Sequence, residues 1–488
     1  IYRYWLRQAI QHCVYAVDLN PDAVELCKLA LWLEGHNSGK PLSFLDHKIR
    51  CGNSLVGVAD LAVLKKGIPD EAFNPVTGDD KAVCQALKKA NKEFNKTSQI
   101  TLDFDAGTFD FKEEQKDFAH KFAELDSINQ DTLEEVKMVS KKHKELKYNP
   151  KLQKDKNACD LYTAAFFYTY AKIDDPAAPS SQKLKTYLHS AGGVEARAVG
   201  MANVLSLENN YFHWPLEFPD VFDQGGFDVV LGNPPWERIK MQEEEFFSTK
   251  EPKIALVSNK SERKKMIAEL VESNPNLHNE FNASRHNSEA LGKFIKNCER
   301  YPLTSDGDIN TYAIFSELVR NVINLKGVCG VIVPTGIATD DSNKNYFGEL
   351  IKKNNLISFY DFENKNGLFQ DVDSHMRFSL ITLSNGKTTS IPKFAFFLKD
   401  VSELAMNNRI IKIPIETFVL FNPNTLTTPS FWSATDLELA KKIYQSHFVL
   451  ENEISGINEW NVHFNRMFDM SNDSKHFKSE SPNLMRLY

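Results

Sequence analysis

The sharpest chemical feature is Asn233-Pro234-Pro235-Trp236, which follows the apolar run from Phe227 to Leu231 and Gly232. Two successive prolines fix φ and supply no N–H, so the turn is rigid and its carbonyls are free to accept. The Asn233 amide oxygen, the Pro234 carbonyl and the flat face of Trp236 suit a planar group with an exocyclic amine. Such a group stacks on the indole and points its two N–H bonds at the two oxygens. The plain alternative is a proline-stiffened turn whose Trp236 is core. The turn ends an apolar strand, where open α/β sheets place their sites, and that favours chemistry. Asp18 ends another apolar run, residues 13–17, just before a helix. A carboxylate there accepts two hydrogen bonds from the ribose hydroxyls of a nucleoside cofactor, or serves as a helix N-cap. Asn53 and Ser54 follow residues 47–51 (His-Lys-Ile-Arg-Cys), which read as a second strand, and either meet an adenine edge or form a plain turn.

These residues need strands to carry them. Residues 13–17, 47–51, 227–231, 327–336, 356–362 and 377–384 read as strands. Pro21 stands where a helix starts, and Val24, Leu26, Cys27, Leu29, Ala30, Leu31 and Leu33 predict a largely buried helix closed by Gly35. Strands alternating with helices predict an α/β sheet, mostly parallel. Residues 61–210 are rich in Lys, Glu, Asp and Gln with helical periodicity, and read as a long, solvent-exposed helical arm inserted into the core. The basic run between Lys137 and Lys156 is a solvated helix face or a set of phosphate contacts. Residues 237–305 return to charged helices. Beyond about residue 400 the pattern weakens, and a domain boundary is expected there.

The 488 residues suit two or three domains, and 42% hydrophobic with 25% charged residues is a globular composition. Fifty-eight Lys and Arg against 65 Asp and Glu give a net charge of −7, which excludes a wholly basic nucleic-acid coat but not a local basic groove. There is no apolar run of about 18 residues, so no membrane span is expected. Seven Cys, none at CxxC spacing, indicate neither a disulfide framework nor a zinc ribbon, and a reducing cytoplasm fits. No metal site is expected. The first residue is Ile1, in an amphipathic-looking stretch unlike a signal peptide, which is read as a piece of a larger protein.

The ordered set VYAVDLNPDAVELCKLALW, PLSFLDHKIRCGNSL, HWPLEFPDVF, GFDVVLGNPPWERIK, GDINTYAIF, GVIVPTGIATD and DFENKNGLF resembles the adenine-N6 DNA methyltransferases of restriction–modification systems. More narrowly, it resembles the gamma-class methylase domain of large type IIG restriction enzymes and their phage-defence relatives. The resemblance implies a Rossmann-like methyltransferase sheet, S-adenosylmethionine as cofactor and double-stranded DNA as partner. It implies a catalytic role for Asn233, Pro234, Pro235 and Trp236, with the target adenine flipped out of the duplex. Asp18 matches the acid that binds the cofactor ribose, with Leu19 beside the cofactor adenine. Asn53, where the family often has Asp, matches the contact to the adenine amine, with Ser54 beside it. Phe378 matches a second aromatic that stacks on the target base, or is a packed core Phe.

The implied domains are 1–60, the N-terminal part of the methyltransferase core; 61–210, the helical insertion; 211–400, the catalytic part; and 401–488, a linker and the start of a target-recognition domain. The resemblance departs at one point. The family's glycine-rich cofactor loop precedes the strand of Asp18, yet the 17 residues before Asp18 hold no Gly. The first strand and its loop are therefore expected upstream, the sheet is expected to lack a central strand, and the fragment is expected to bind cofactor poorly. Glu363-Asn364-Lys365 and Pro219-Asp220 contain the pieces of a PD…ExK nuclease, but far apart. In type IIG enzymes the nuclease sits upstream of the methylase, so a fused nuclease is expected outside this chain. Two other readings stay open: methylation of a protein glutamine amide, and a DNA-recognition module without catalysis.

Overall fold

The computed structural model describes residues 1–102, 111–189, 196–406, 408–447 and 449–463. The expected strands form, in two sheets. β1 (Ala16–Asp18) pairs in parallel with β2 (Ile49–Cys51). The second sheet has the order β3-β4-β6-β5-β7-β8, with β3 (Phe227–Gly232), β4 (Ile323–Pro334), β5 (Leu356–Glu363), β6 (Arg377–Ser384), β7 (Lys393–Leu398) and β8 (Ile411–Lys412). β3 with β4 and β5 with β7 are parallel, whereas β6 is antiparallel to both β4 and β5, and β8 to β7. The sheet is thus mixed and not mostly parallel. A parallel return needs a long crossover, and the link from β5 to β6 holds only the short 3-10 turn Asn364–Asn366.

Each local signal has its physical counterpart. Asn20 caps the helix Pro21–Glu34 by accepting from the Asp22 N–H at 2.9 Å, and Pro21 takes the first turn. The helix is not largely buried as its sequence predicts: Leu26 and Leu33 are 65% and 66% exposed. Of its apolar residues only Val24, Cys27, Leu31 and Trp32 reach the small core with Ile10, Leu45 and Ile49. A two-stranded sheet covers one face of a helix, and this helix is apolar on more than one.

Residues 61–210 are helical, but they are not a free arm. The helix Pro150–Phe167 buries twelve of its 18 residues and lies in the core that also holds Leu55, Phe212, Phe218 and Ile314. Its apolar residues surround the axis, the pattern of a central helix. The helix Leu133–Lys147 is the exposed part, burying only Val139 and His143. The second core lies on the six-stranded sheet and runs from Tyr312 through Phe359 and Phe418 to Leu437. It crosses the boundary expected near residue 400, because β8 and the helix Ile415–Phe421 pack with β7.

Candidate active site

The chain brings the ends of β1, β2 and β3 to one place. Asp18 and Cys51 are register partners, and the Gly52 N–H donates to the Asp18 carbonyl at 2.9 Å, so the loops after β1 and β2 leave side by side. The Asp18 side chain is exposed, and one of its oxygens accepts from the Asn20 N–H at 2.7 Å. Asn53 is fixed by its backbone, which donates to the Asn210 carbonyl at 2.7 Å, while its side-chain oxygen accepts from Leu55 N–H at 3.2 Å. The Ser54 carbonyl accepts from the Trp214 indole and from Arg300, each at 3.0 Å.

Below this loop lies a buried pair that sequence reading missed. His213 meets Asp160 at 2.9 Å through Nε2 and accepts from the Val58 N–H at 3.0 Å through Nδ1. Asp160 also accepts from Lys156 at 2.5 Å. Burial alone would raise the Asp160 carboxyl, but His213 and Lys156 hold it below the ordinary carboxylate value. Gly57 lets the chain pass: its φ is +139°, and a Cβ there would sit 2.2 Å from the Phe212 carbonyl oxygen.

The turn after β3 is held from outside. The Thr311 hydroxyl donates to the Pro235 carbonyl at 2.7 Å and accepts from the Glu237 N–H at 3.0 Å. Ile239 N–H then donates to the Ile309 carbonyl at 3.0 Å. Among the described residues, neither the Asn233 side chain nor the Pro234 carbonyl has a hydrogen-bond partner. Thr311 lies in the quoted stretch GDINTYAIF, but its type alone gave it no role.

Seven of the nine sequence-predicted residues line one cavity of about 700 Å³: Asp18, Leu19, Asn53, Ser54, Asn233, Pro234 and Pro235. The other two lie beside it. Trp236 is half-buried, donates its indole N–H to the Ile332 carbonyl at 3.3 Å, and lies roughly parallel to Phe378 at 6.3 Å. Phe378 is 4% exposed and stacks on Phe362 at 5.4 Å, so it sits in the core as a support under Trp236. The cavity runs along a slot between β1 and β3, whose facing edges are not hydrogen-bonded to each other. β3 is therefore less buried than its sequence predicts: Val229 is 62% and Leu231 80% exposed.

The pieces of the nuclease string are engaged separately. Asp220 accepts from the Tyr15 hydroxyl at 2.9 Å, and Glu363 pairs with Lys365 at 2.8 Å. His375 is exposed and pairs with Asp373.

Residues 152–280 match the family model described as Eco57I restriction-modification methylase. The matched stretch is similar to a restriction–modification methylase domain, and Asn233 through Trp236 lie inside it. The matched stretch begins within the helix Pro150–Phe167, so it takes in part of the region expected as an insertion. No curated protein matches the chain. Among solved structures, a type I restriction-modification methyltransferase subunit from Streptococcus thermophilus is 12% identical, covering 49% of this chain and 46% of that one, with a TM-score of 0.26. The type IIG restriction endonuclease BpuSI is 16% identical, covering 49% of this chain and 21% of that one, with a TM-score of 0.22. A modification subunit of a putative type I restriction enzyme from Vibrio vulnificus is 11% identical, covering 92% and 84%, with a TM-score of 0.23. The chain spans less than half the length of the first two. No described helix is long and apolar enough to cross a membrane.

Proposed function

We propose that the protein is the modification enzyme of a restriction–modification or phage-defence system. It moves a methyl group from S-adenosylmethionine to the exocyclic amine of a flipped adenine in duplex DNA. One observation carries this reading: two acceptors without partners, the Asn233 amide and the Pro234 carbonyl, share a cavity with Asp18 and Asn53.

Adenine's amino lone pair is delocalised into the ring and attacks poorly. Asn233 and Pro234 accept its two N–H bonds, which favours a pyramidal nitrogen and frees the lone pair. The rigid turn supplies these acceptors already aimed, so the gain comes from placement. Trp236, braced by Phe378, gives the extracted base a stacking face that offsets part of the few kcal/mol that flipping costs. Thr311 positions the turn through the Pro235 carbonyl. S-adenosylmethionine supplies an electrophilic methyl on sulfur when bound.

The residues present fit the adenosine part of that cofactor. Among the described residues Asp18 keeps one oxygen without a partner for the ribose, Leu19 is 54% exposed for packing, and Asn53 lines the same cavity. Nothing among the described residues matches the glycine loop for the rest of it; the helix Tyr2–Cys13 precedes β1. The slot between β1 and β3 is the seat of one further parallel strand, which brings that loop to the cavity. Without that strand, cofactor affinity is weak, and a calorimetric titration showing micromolar affinity for residues 1–488 sinks this part of the reading.

The test of the whole reading uses the longest natural form of the protein, methyl-labelled cofactor, and duplex DNA or protein as acceptor. Label at adenine N6 is the expected result. Label in protein, or none despite cofactor binding, overturns it.

A further inference from the structure

On the far side of the strip Arg238–Gln242 lies a second cavity, of about 870 Å³. Its other walls are the helices Lys260–Ser273 and Pro275–Asn297. Eight Lys and Arg residues line it against four Asp and Glu. The arginines are engaged: Arg238 faces Asp308 at 3.9 Å, Arg263 pairs with Glu244, and Arg285 pairs with Glu289 at 2.8 Å. The surplus is lysine. Among the described residues, Lys240, Lys260, Lys264 and Lys296 make no ion pair. Four ammonium groups around one concavity are unlike the same charges spread over a convex helix, because low-dielectric walls focus their field on whatever enters.

The cavity is also joined to the turn. Arg238 to Gln242 line both it and an intermediate cavity of about 710 Å³. That one shares Asn53, Ile239, Leu291 and Thr311 with the cavity of Asp18 and Asn233. A continuous track therefore leads from the acceptor pair to the lysines. Lys240 stands six residues after Pro234, no more than about 20 Å away by chain reach, or a few nucleotides of backbone. A compact metabolite would fill one cavity; a polyanion that continues past the reacting group would use the whole track.

We propose that this cavity holds the phosphodiester backbone of the strand carrying the target base, a few nucleotides from that base. The proposal rests on the DNA reading above. It moves the phosphate contacts from the run at Lys137–Lys156, which the sequence singled out, to the helical segment after the catalytic turn.

The test is the salt dependence of binding. A fluorescently labelled 30-base-pair duplex is titrated with the natural protein between about 50 and 300 mM KCl, and log K is plotted against log salt. Each phosphate contact contributes about −0.9 to that slope. The combined variant Lys240→Ala, Lys260→Ala, Lys264→Ala and Lys296→Ala should flatten the slope by about 3.6. A control with Lys137→Ala, Lys141→Ala, Lys142→Ala and Lys144→Ala should shift it by less than about 1. Melting curves, and single substitutions at Lys240 and Lys296 that should each remove about one contact, keep the result readable if the combined variant folds poorly. Duplex binding with an unchanged slope in the cavity variant, or a larger loss in the control, overturns this proposal and leaves the DNA reading standing. Failure of the unsubstituted protein to bind duplex overturns both.

Discussion

The turn after β3 and the Asp160–His213 pair are both polar, and they are built in opposite ways. Asn233 is exposed and its amide has no partner among the described residues, while the chain around it is tied down by Thr311. Asp160 and His213 are 0% and 1% exposed, and their polar atoms are all engaged with each other, Lys156 or the Val58 N–H. A buried charge persists only when its partners replace water. An acceptor kept open at a cavity is useful only when an incoming donor replaces water. The Asp160–His213 pair therefore serves stability, and the turn after β3 serves a ligand at little benefit to the fold.

The difference can be broken at four points. Asn233→Ala should lower methyl transfer by about 10³-fold, as loss of one preorganised transition-state contact does, and leave the melting temperature within about a degree. Single-turnover labelling beside a melting curve checks it; a variant that unfolds would erase the distinction. Asp160→Ala strands His213 and Lys156 and should cost about 3 kcal/mol in urea unfolding. An unchanged midpoint would mean that the pair carries nothing. Gly57→Ala forces a side chain into left-handed backbone against the Phe212 carbonyl and should cost about 2 kcal/mol, with weaker cofactor affinity because the Asn53 loop moves.

The smallest effect depends on pH. Burial, with Arg50 next, pushes the His143 imidazole down to about 3. The unfolded chain takes up this proton near pH 6.5 and the folded chain does not until about 3, so stability falls as pH drops through that window. His143→Phe should remove about 1 kcal/mol of that loss at pH 5.5, seen as a flatter plot of midpoint against pH. A slope equal to that of the unsubstituted protein would show that His143 is not the buried base.

The convergence of Asp18, Asn53 and Asn233 was legible because each follows a segment that reads as a strand, and α/β folds gather their sites at strand ends. The direction of β6 was not, since it depends on a short connection and on which gap remains open between β4 and β5. The helix Pro21–Glu34 reads as buried because periodicity reports which residues are apolar, not what stands ready to cover them. The Lys- and Glu-rich sequence of residues 111–157 hid the apolar residues 158–170, which make Pro150–Phe167 central and not part of an arm. The Asp160–His213 pair spans 53 residues and left no local pattern. Phe378 kept both of its sequence readings until its neighbours, Phe362 and Trp236, were in place.

The open side of β3 also has a consequence for handling the protein. A strand that shows unpaired N–H and C=O groups, two exposed aliphatic side chains and no proline is a template for any other strand. The nearest supply in a concentrated sample is another copy of the molecule. Edge-to-edge pairing competes with seating a strand in the slot and grows with concentration, so sedimentation at rising concentration measures how well that slot is filled.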